Sequence, residues 1–197
     1  MGRAPRNENP GFHHVVTRGN NKGPIYLEER DRTGFCLTVE RVRKRYDWDV
    51  LAYVLMGNHY HLLLRIGERG LSDGMHALNH SYSVTFNAQH GRINHLFGKR
   101  FWNRELTTEA SLQAAARYIV QNPRRAGLVA DLEDYRWSSY RATVGLEFPH
   151  VTLDRDSLLS FFGSTPARSL AAYTRFCADM PLADELNQPR PVPGTVT

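Results

Sequence analysis

Apolar residues recur along residues 12–122 in short runs that predict seven secondary-structure elements. Stretches rich in β-branched and aromatic residues predict strands, and longer stretches of strong helix formers predict helices. In chain order the predicted elements are strand 12–18, helix 30–46, strand 48–56, strand 59–66, helix 71–90, strand 100–107 and helix 108–122. The order βαββαβα predicts an α+β fold, a ferredoxin-like split βαβ sheet with the helices on one face. Strands 12–18 and 59–66 should then be central neighbours.

The most informative motif is His59-Tyr60-His61, which follows an apolar run and the turn pair Gly57-Asn58. If residues 59–66 form a strand, its period of two places both imidazoles on one face and Tyr60 on the other, toward the core. Two adjacent imidazoles indicate a metal site, although a polar strand edge would carry the same residues. A metal site would need further ligands from elsewhere in the chain.

Such ligands are offered by an alanine-rich helix that should end before Pro123. Tyr118 and Asn122 are four residues apart, so they share one face of that helix. A tyrosine phenol is a weak nucleophile that needs an activated electrophile, and a divalent ion held by imidazoles and an amide oxygen would activate a phosphodiester. The combination indicates a nuclease that forms a phosphotyrosine.

These motifs resemble those of the HUH (His-hydrophobic-His) single-tyrosine transposases, and most closely the branch called REP-associated tyrosine transposases. The resemblance is carried by four segments in the family's order, residues 14–21, 54–64, 116–129 and 135–140, and it covers roughly residues 12–142. We therefore expect a transposase domain at 12–142 and a small helical appendage at 143–180. Residues 181–197 hold four of the ten prolines, which predicts a flexible tail.

The resemblance implies a role for each matching residue. His59, His61 and Asn122 would bind Mg²⁺ or Mn²⁺, and Tyr118 would attack single-stranded DNA in a hairpin-forming repeat to give a 5′-phosphotyrosine. Gln121 is a rival for the third ligand, but one residue along a helix turns a side chain about 100° away from Tyr118. Exchange of two strands would then need a homodimer or sequential turnovers.

Two other functions remain open from the residues. The first is a domesticated DNA-hairpin-binding regulatory module that no longer mobilises DNA. The second is a hydrolytic metal-dependent nuclease in which water attacks and Tyr118 is merely packed in the helix. The hydrolytic nuclease would produce no covalent adduct and would survive Tyr118→Phe.

The formal charge of +5 favours a polyanionic partner, and the basic residues are clustered. Residues 98–104 mix cations with Phe101 and Trp102, which suits a grip on single strands, although a plain β-strand would show the same alternation. Other clusters lie at residues 41–45 and 124–125. The candidate DNA contacts are Arg18, Arg65, Lys99, Arg100 and Arg104.

The remaining histidines are weaker candidates. His13 and His14 point to opposite faces of the first strand, so at most one of them can approach the site. His76 and His80 share a helix face but lack a third ligand, and they are left out of the predicted site.

The 197 residues are 41% hydrophobic and contain no apolar run long enough to cross a bilayer. The N-terminus also lacks the apolar segment of a secretory signal. We therefore expect a soluble protein of the bacterial cytoplasm, associated with the nucleoid, whose two cysteines are reduced.

Overall fold

A computed structural model describes residues 9–179. Its strands and longer helices are β1 Gly11–Arg18, α1 Glu29–Tyr46, β2 Trp48–Leu55, β3 His59–Ile66, α2 Leu71–Gln89, β4 Trp102–Leu106, α3 Glu109–Arg125, α4 Tyr140–Thr143, α5 Arg155–Ser160 and α6 Pro166–Ala178. Two 3-10 turns lie at Asn20–Lys22 and Leu132–Asp134. The seven predicted elements are confirmed, and α4 to α6 follow them. The tail predicted at 181–197 lies outside the described residues.

The four strands form one antiparallel sheet in the order β2-β3-β1-β4. This is the ferredoxin-like arrangement, and the prediction that β1 and β3 are central neighbours is confirmed. The register pairs Arg18 with His59 and Val16 with His61. The end of β1 therefore lies directly beside the start of the His59-Tyr60-His61 motif.

Helices cover both faces of the sheet, so the expectation of helices on one face is correct for α1 and α2 only. Leu62 and Leu64 of β3 belong to the core beneath α1 and α2, whereas Leu63 belongs to a second core with α3, α5 and α6. The sheet is covered on both faces because β3 contains an unbroken apolar run at residues 62–64, and alternate side chains of such a run must be buried on opposite sides. The second core places α3 on the face that carries His59 and His61.

Helix α3 continues through Pro123 to Arg125, although the sequence predicted that it would stop before the proline. Proline has no N–H, so the carbonyl of Ile119 loses its usual partner four residues on. The side-chain amide of Asn122 partly compensates, since Nδ2 lies 3.4 Å from that oxygen and 2.8 Å from the carbonyl of Tyr118. The helix therefore tolerates the proline near its end.

The C-terminal helices are an integral part of the second core. Leu158 of α5 and Tyr173 and Cys177 of α6 are fully buried in this core, to which α3 also belongs. Residues before α5 also cover the outer edge of β2, because the amide of Leu55 donates to the carbonyl of Trp137 and the amide of Ser139 donates to that of Tyr53. Among residues 9–179, no helix is long and apolar enough to cross a membrane.

Loop contacts fix the end of the sheet where the His motif begins. The amide of Gly19 donates to the carbonyl of Asn58 and the amide of Ile25 donates to that of Gly57. A Cβ atom on Gly19 would collide with the carbonyl oxygen of Gly23, so only glycine permits this close approach. The turn before His59 is thereby held against the loop after β1.

Two helical glycines give a matched test of this packing. A Cβ atom on Gly74 of α2 would overlap the buried ring of Trp48, so Gly74→Ala should lower the free energy of unfolding by about 1–3 kcal/mol. Gly34 of α1 has open space at that position, so Gly34→Ala should raise it by roughly 0.5–1 kcal/mol. Urea unfolding curves measure both, and equal effects of the two substitutions would contradict the packing of α2 on Trp48.

Candidate active site

The two histidines of the motif lie side by side on the face of the sheet that α3 covers. The ring centroids of His59 and His61 are 5.1 Å apart. Tyr60 points to the other face, where it is fully buried and its hydroxyl donates to Oδ1 of Asn79 at 2.6 Å. The predicted orientation of Tyr60, into the core and away from the histidines, is confirmed.

Each imidazole is held by a partner at its Nδ1 atom. Nδ1 of His59 lies 2.7 Å from Oδ1 of Asn58, and because an amide oxygen only accepts, Nδ1 carries the proton. Nδ1 of His61 lies 2.9 Å from Nε2 of His14. Because Nδ1 is engaged in each ring, Nε2 is the nitrogen that can bind a cation. The Nε2 atoms of His59 and His61 are therefore the candidate ligands.

His14 is a member of this cluster that the predicted site did not include. The planes of the His14 and His61 rings are inclined by 26° with centroids 5.2 Å apart, and the His14 ring lies nearly perpendicular to that of Trp102 at 5.4 Å. His14 and His61 are diagonal neighbours in the β1–β3 register, where Val16 pairs with His61. Strand alternation allowed one of His13 and His14 to reach the site, but only the register identifies which one.

Burial keeps all three imidazoles neutral near pH 7. Burial, aided by Arg104, lowers the pKa of His14 to about 3. Burial, aided by Arg18, lowers the pKa of His59 to about 4. Burial is the main cause that holds the pKa of His61 well below its usual value, and the neighbouring His14 and His59 lower it further. Neutral imidazole is the form that binds metal ions.

Tyr118 of α3 lies beside the histidine cluster. Its ring centroid is 5.6 Å from that of His61 and 5.9 Å from that of His14. The guanidinium carbon of Arg125, two helical turns along α3, lies 5.5 Å from the Tyr118 ring centroid. A phenol, a cation and two free Nε2 atoms thus share one corner of the sheet face.

The neighbours Gln121 and Asn122 point in different directions. The Gln121 side chain is fully buried, and its Nε2 donates to the carbonyls of Cys177 at 2.8 Å and Asp179 at 2.7 Å. Asn122 lies one turn after Tyr118, and its nitrogen donates to the Tyr118 carbonyl, which leaves the amide oxygen available to accept or to bind a cation. The geometry favours Asn122 over Gln121 as a ligand.

The imidazole and amide donors of these residues fit a divalent cation, although they offer few protein ligands. Within residues 9–179, no group of three or more His, Cys, Asp or Glu side chains is arranged to hold a metal ion. His59 and His61 supply only two donors of those types, so a third ligand would be the amide oxygen of Asn122. His14 supports His61 through Nε2 and is not itself placed as a ligand.

The predicted DNA contacts separate into two groups. Arg65 bonds to Asp49 at 2.8 Å, to Asp154 at 2.9 Å and to Ser157 at 3.2 Å, so it joins β2, β3 and α5 and is better explained as a structural ion pair. The other four cations are exposed. Arg18 pairs in register with His59 and Arg104 with His14.

Lys99 and Arg100 line a groove of about 930 Å³ between α2 and residues 93–101. Of the aromatic residues beside them, Phe101 is buried in the first core, whereas Trp102 is half-buried and its ring meets that of His14. His76 and His80 also line this groove with nearly parallel rings 5.9 Å apart, remote from the motif on the other side of the sheet. The exposed cations of this segment are therefore available to a ligand.

Comparison with known proteins identifies the family. The family model "Transposase IS200 like" matches residues 12–122, which is more than half of the chain. The chain belongs to the IS200-like transposase family. Members of this family are tyrosine transposases, enzymes that cleave DNA, and the match includes the His motif and Tyr118.

Two relatives carry the name of the REP-associated branch. A protein of Haemophilus influenzae with the provisional name of REP-associated tyrosine transposase is 25% identical over 156 residues, which are 66% of this chain and 87% of that protein. The solved structure of a REP-associated tyrosine transposase bound to a REP hairpin is 18% identical with a TM-score of 0.63, and the match covers 77% of this chain and 91% of that one. The resemblance seen in the sequence is confirmed.

The lowered pKa values of the site histidines predict how stability changes with pH in the metal-free protein. The unfolded chain binds protons on these residues below about pH 6.5, whereas the folded protein does not until pH 4 or lower. The free energy of unfolding should therefore fall as pH falls from 6.5 to 5, by up to about 1.4 kcal/mol per pH unit for each histidine. Urea unfolding at several pH values measures the slope of the free energy of unfolding against pH, and His14→Gln should reduce this slope. Identical slopes in the wild type and the variant would contradict a buried neutral His14.

Proposed function

We propose that this protein is a metal-dependent single-stranded DNA endonuclease and strand transferase that acts on hairpin-forming DNA through a 5′-phosphotyrosine on Tyr118. The observation that carries the proposal is the placement of the Tyr118 ring 5.6 Å from His61, on the same face as His59. Membership in the transposase family supports the same chemistry. A DNA substrate in a bacterial chromosome would place the protein in the cytoplasm.

His59, His61 and Asn122 would hold the divalent ion, Mg²⁺ or Mn²⁺. The bound ion would polarise the scissile phosphate and neutralise the charge that develops on it. Asn58 and His14 orient the two imidazoles before any cation arrives, because they occupy the Nδ1 atoms. Such preorganisation lowers the cost of assembling the site.

In the cleavage step, the Tyr118 oxygen forms a bond to phosphorus and the bond from phosphorus to the 3′ oxygen breaks. The phenol loses its proton, and the departing 3′ oxygen gains one to become a hydroxyl. The products are a DNA 5′-phosphate ester of Tyr118 and a free 3′-hydroxyl. Arg125 lies over the Tyr118 ring, where its charge would stabilise the anionic phosphate during transfer.

The same geometry serves the reverse reaction. A 3′-hydroxyl from another strand can attack the phosphotyrosine, which restores the phenol and joins the strands with no net change in bond type. No ATP is needed, because the covalent bond retains the energy of the original phosphodiester. With one tyrosine per site, exchange of two strands takes a second protomer or two successive turnovers.

The DNA partner is supported by the cations around the site and by the solved relative, which is described as bound to a REP hairpin. Arg18 and Arg104 flank the histidines, and Lys99 and Arg100 line the groove beside α2. Contacts of this kind hold the DNA backbone and set its position without specifying its sequence. Arg65 is left out of this surface because of its ion pairs.

The nucleophile is tested by comparing two tyrosine variants. Wild-type protein incubated with an end-labelled hairpin oligonucleotide and Mg²⁺ or Mn²⁺ should give a protein-linked DNA band on a denaturing gel, and Tyr118→Phe should lose it. Tyr60→Phe is the matched control, because Tyr60 lies within the motif but points to the other face. It should retain the band. Cleavage without a band that persists in Tyr118→Phe would favour the hydrolytic nuclease, and binding without cleavage would favour the regulatory module.

The DNA surface is tested by the salt dependence of hairpin binding. If Arg100 contacts a phosphate, Arg100→Ala should weaken binding and reduce the slope of log K against log salt by about 0.7–0.9. Arg65→Ala should leave the slope unchanged and lower stability, since its charge is paired with Asp49 and Asp154. Fluorescence anisotropy between 50 and 200 mM salt, the range in which such contacts matter, measures both. A slope that Arg100→Ala leaves unchanged would remove Arg100 from the interface.

A further inference from the structure

The side of α3 adjacent to the one that bears Tyr118 is attached to the end of α6. Gln121 is fully buried and donates two hydrogen bonds, to the carbonyls of Cys177 and Asp179. Arg124 donates to the carbonyl of Ala178 at 3.1 Å. The last carbonyls of a helix have no partner within it and carry its negative end. Side chains of α3 therefore satisfy the C-terminal end of α6.

A third contact extends this attachment toward the start of α3. The guanidinium carbon of Arg117 lies 4.1 Å from the ring centroid of Phe176, close enough for a cation–π interaction. Arg117, Gln121 and Arg124 are spaced by four and three residues, so they form one stripe along α3. The stripe meets four consecutive residues, 176–179, at the end of α6.

The residues of the candidate active site form the adjacent stripe. Tyr118, Asn122 and Arg125 each follow an anchoring residue by one position, about 100° around the helix. A helix moves as a unit, so fixing the rotation of one stripe fixes the rotation of the other. A slip of α3 by a single residue would carry the Tyr118 phenol away from the histidines.

The anchoring helix lies outside the part of the chain that the family model covers. The match ends at residue 122, whereas α6 spans Pro166–Ala178. The Tyr118 helix thus depends on a segment that does not belong to the matched domain. The C-terminal helices therefore do more than fill the second core, because α6 also contacts the helix that carries Tyr118.

We propose that the C-terminal end of α6 is a positioning element for Tyr118, which acts by holding α3 in the rotation that presents the phenol to the histidine pair. Gln121 and Phe176 are its main positioning residues. The proposal rests on the proposed function in one respect, that Tyr118 is the nucleophile. It adds that the segment after the matched domain sets the rate of attack without contacting DNA or metal.

Three variants separate positioning from stability. Gln121→Met keeps the length and volume of the side chain but donates no hydrogen bond, and Phe176→Leu removes the ring beneath Arg117. Arg175→Ala is the control, because it removes an exposed cation from the same helix. Each variant, the wild type and Tyr118→Phe are mixed with excess hairpin oligonucleotide and Mn²⁺. The first round of covalent adduct formation is then followed over time. The amplitude of adduct formation reports the folded, active fraction, and its rate reports the placement of the phenol.

The expected result is a loss of rate of about tenfold or more in Gln121→Met and Phe176→Leu at near-normal amplitude, because small misplacements of reacting groups are costly. Hairpin affinity should change by less than about twofold, since the DNA contacts are elsewhere. Arg175→Ala should match the wild type. A lower amplitude with an unchanged rate would show a merely structural role and overturn the proposal.

Amide hydrogen exchange provides a readout that does not depend on the chemistry. In Gln121→Met, faster exchange confined to α3 and the end of α6 supports the anchor, whereas unchanged exchange in α3 overturns it. If the wild type forms no adduct through Tyr118, the proposed function fails. Exchange in α3 then still decides whether α6 fixes the helix.

Discussion

The site depends on one constraint, the burial of β3 on both of its faces. Side chains alternate along a strand, so Tyr60 and Leu62 enter the core beneath α1 and α2 while His61 and Leu63 face α3. A slip by one residue would send the histidines into the first core and Tyr60 toward Tyr118. Burial on both faces makes that slip costly. The packing that stabilises the sheet therefore also fixes which groups meet the catalytic helix.

The same burial sets the protonation of the site. Three imidazoles lie together at the edge of an apolar core, and charged rings would be expensive there. They are neutral, and hydrogen bonds to Oδ1 of Asn58 and to Nε2 of His14 engage the Nδ1 atoms of His59 and His61. The result is a pair of oriented Nε2 atoms next to a phenol. Arg18 and Arg104, which are exposed and pair in register with His59 and His14, give the surface beside the histidines the positive charge that suits a DNA backbone.

The sequence could predict the features that depend on local periodicity. It predicted the order of elements along the chain, the orientation of Tyr60 and the shared face of Tyr118 and Asn122, since these follow from periods of 2 and 3.6. It could not identify His14 as the partner of His61, because that contact depends on strand register. It also assigned Arg65 to DNA, because its partners Asp49 and Asp154 are distant in sequence. The attachment of α3 to α6 joins residues more than fifty positions apart.

The central claim is that His59 and His61 present Nε2 to a divalent ion beside Tyr118, and anomalous scattering tests it most directly. Crystals of the protein grown with Mn²⁺ and a hairpin oligonucleotide would locate the ion by its anomalous peak. The account predicts one peak bound by Nε2 of His59 and His61 and by Oδ1 of Asn122, with the Tyr118 hydroxyl facing the same phosphate. A peak on His76 and His80 alone, or none near His61, would contradict it.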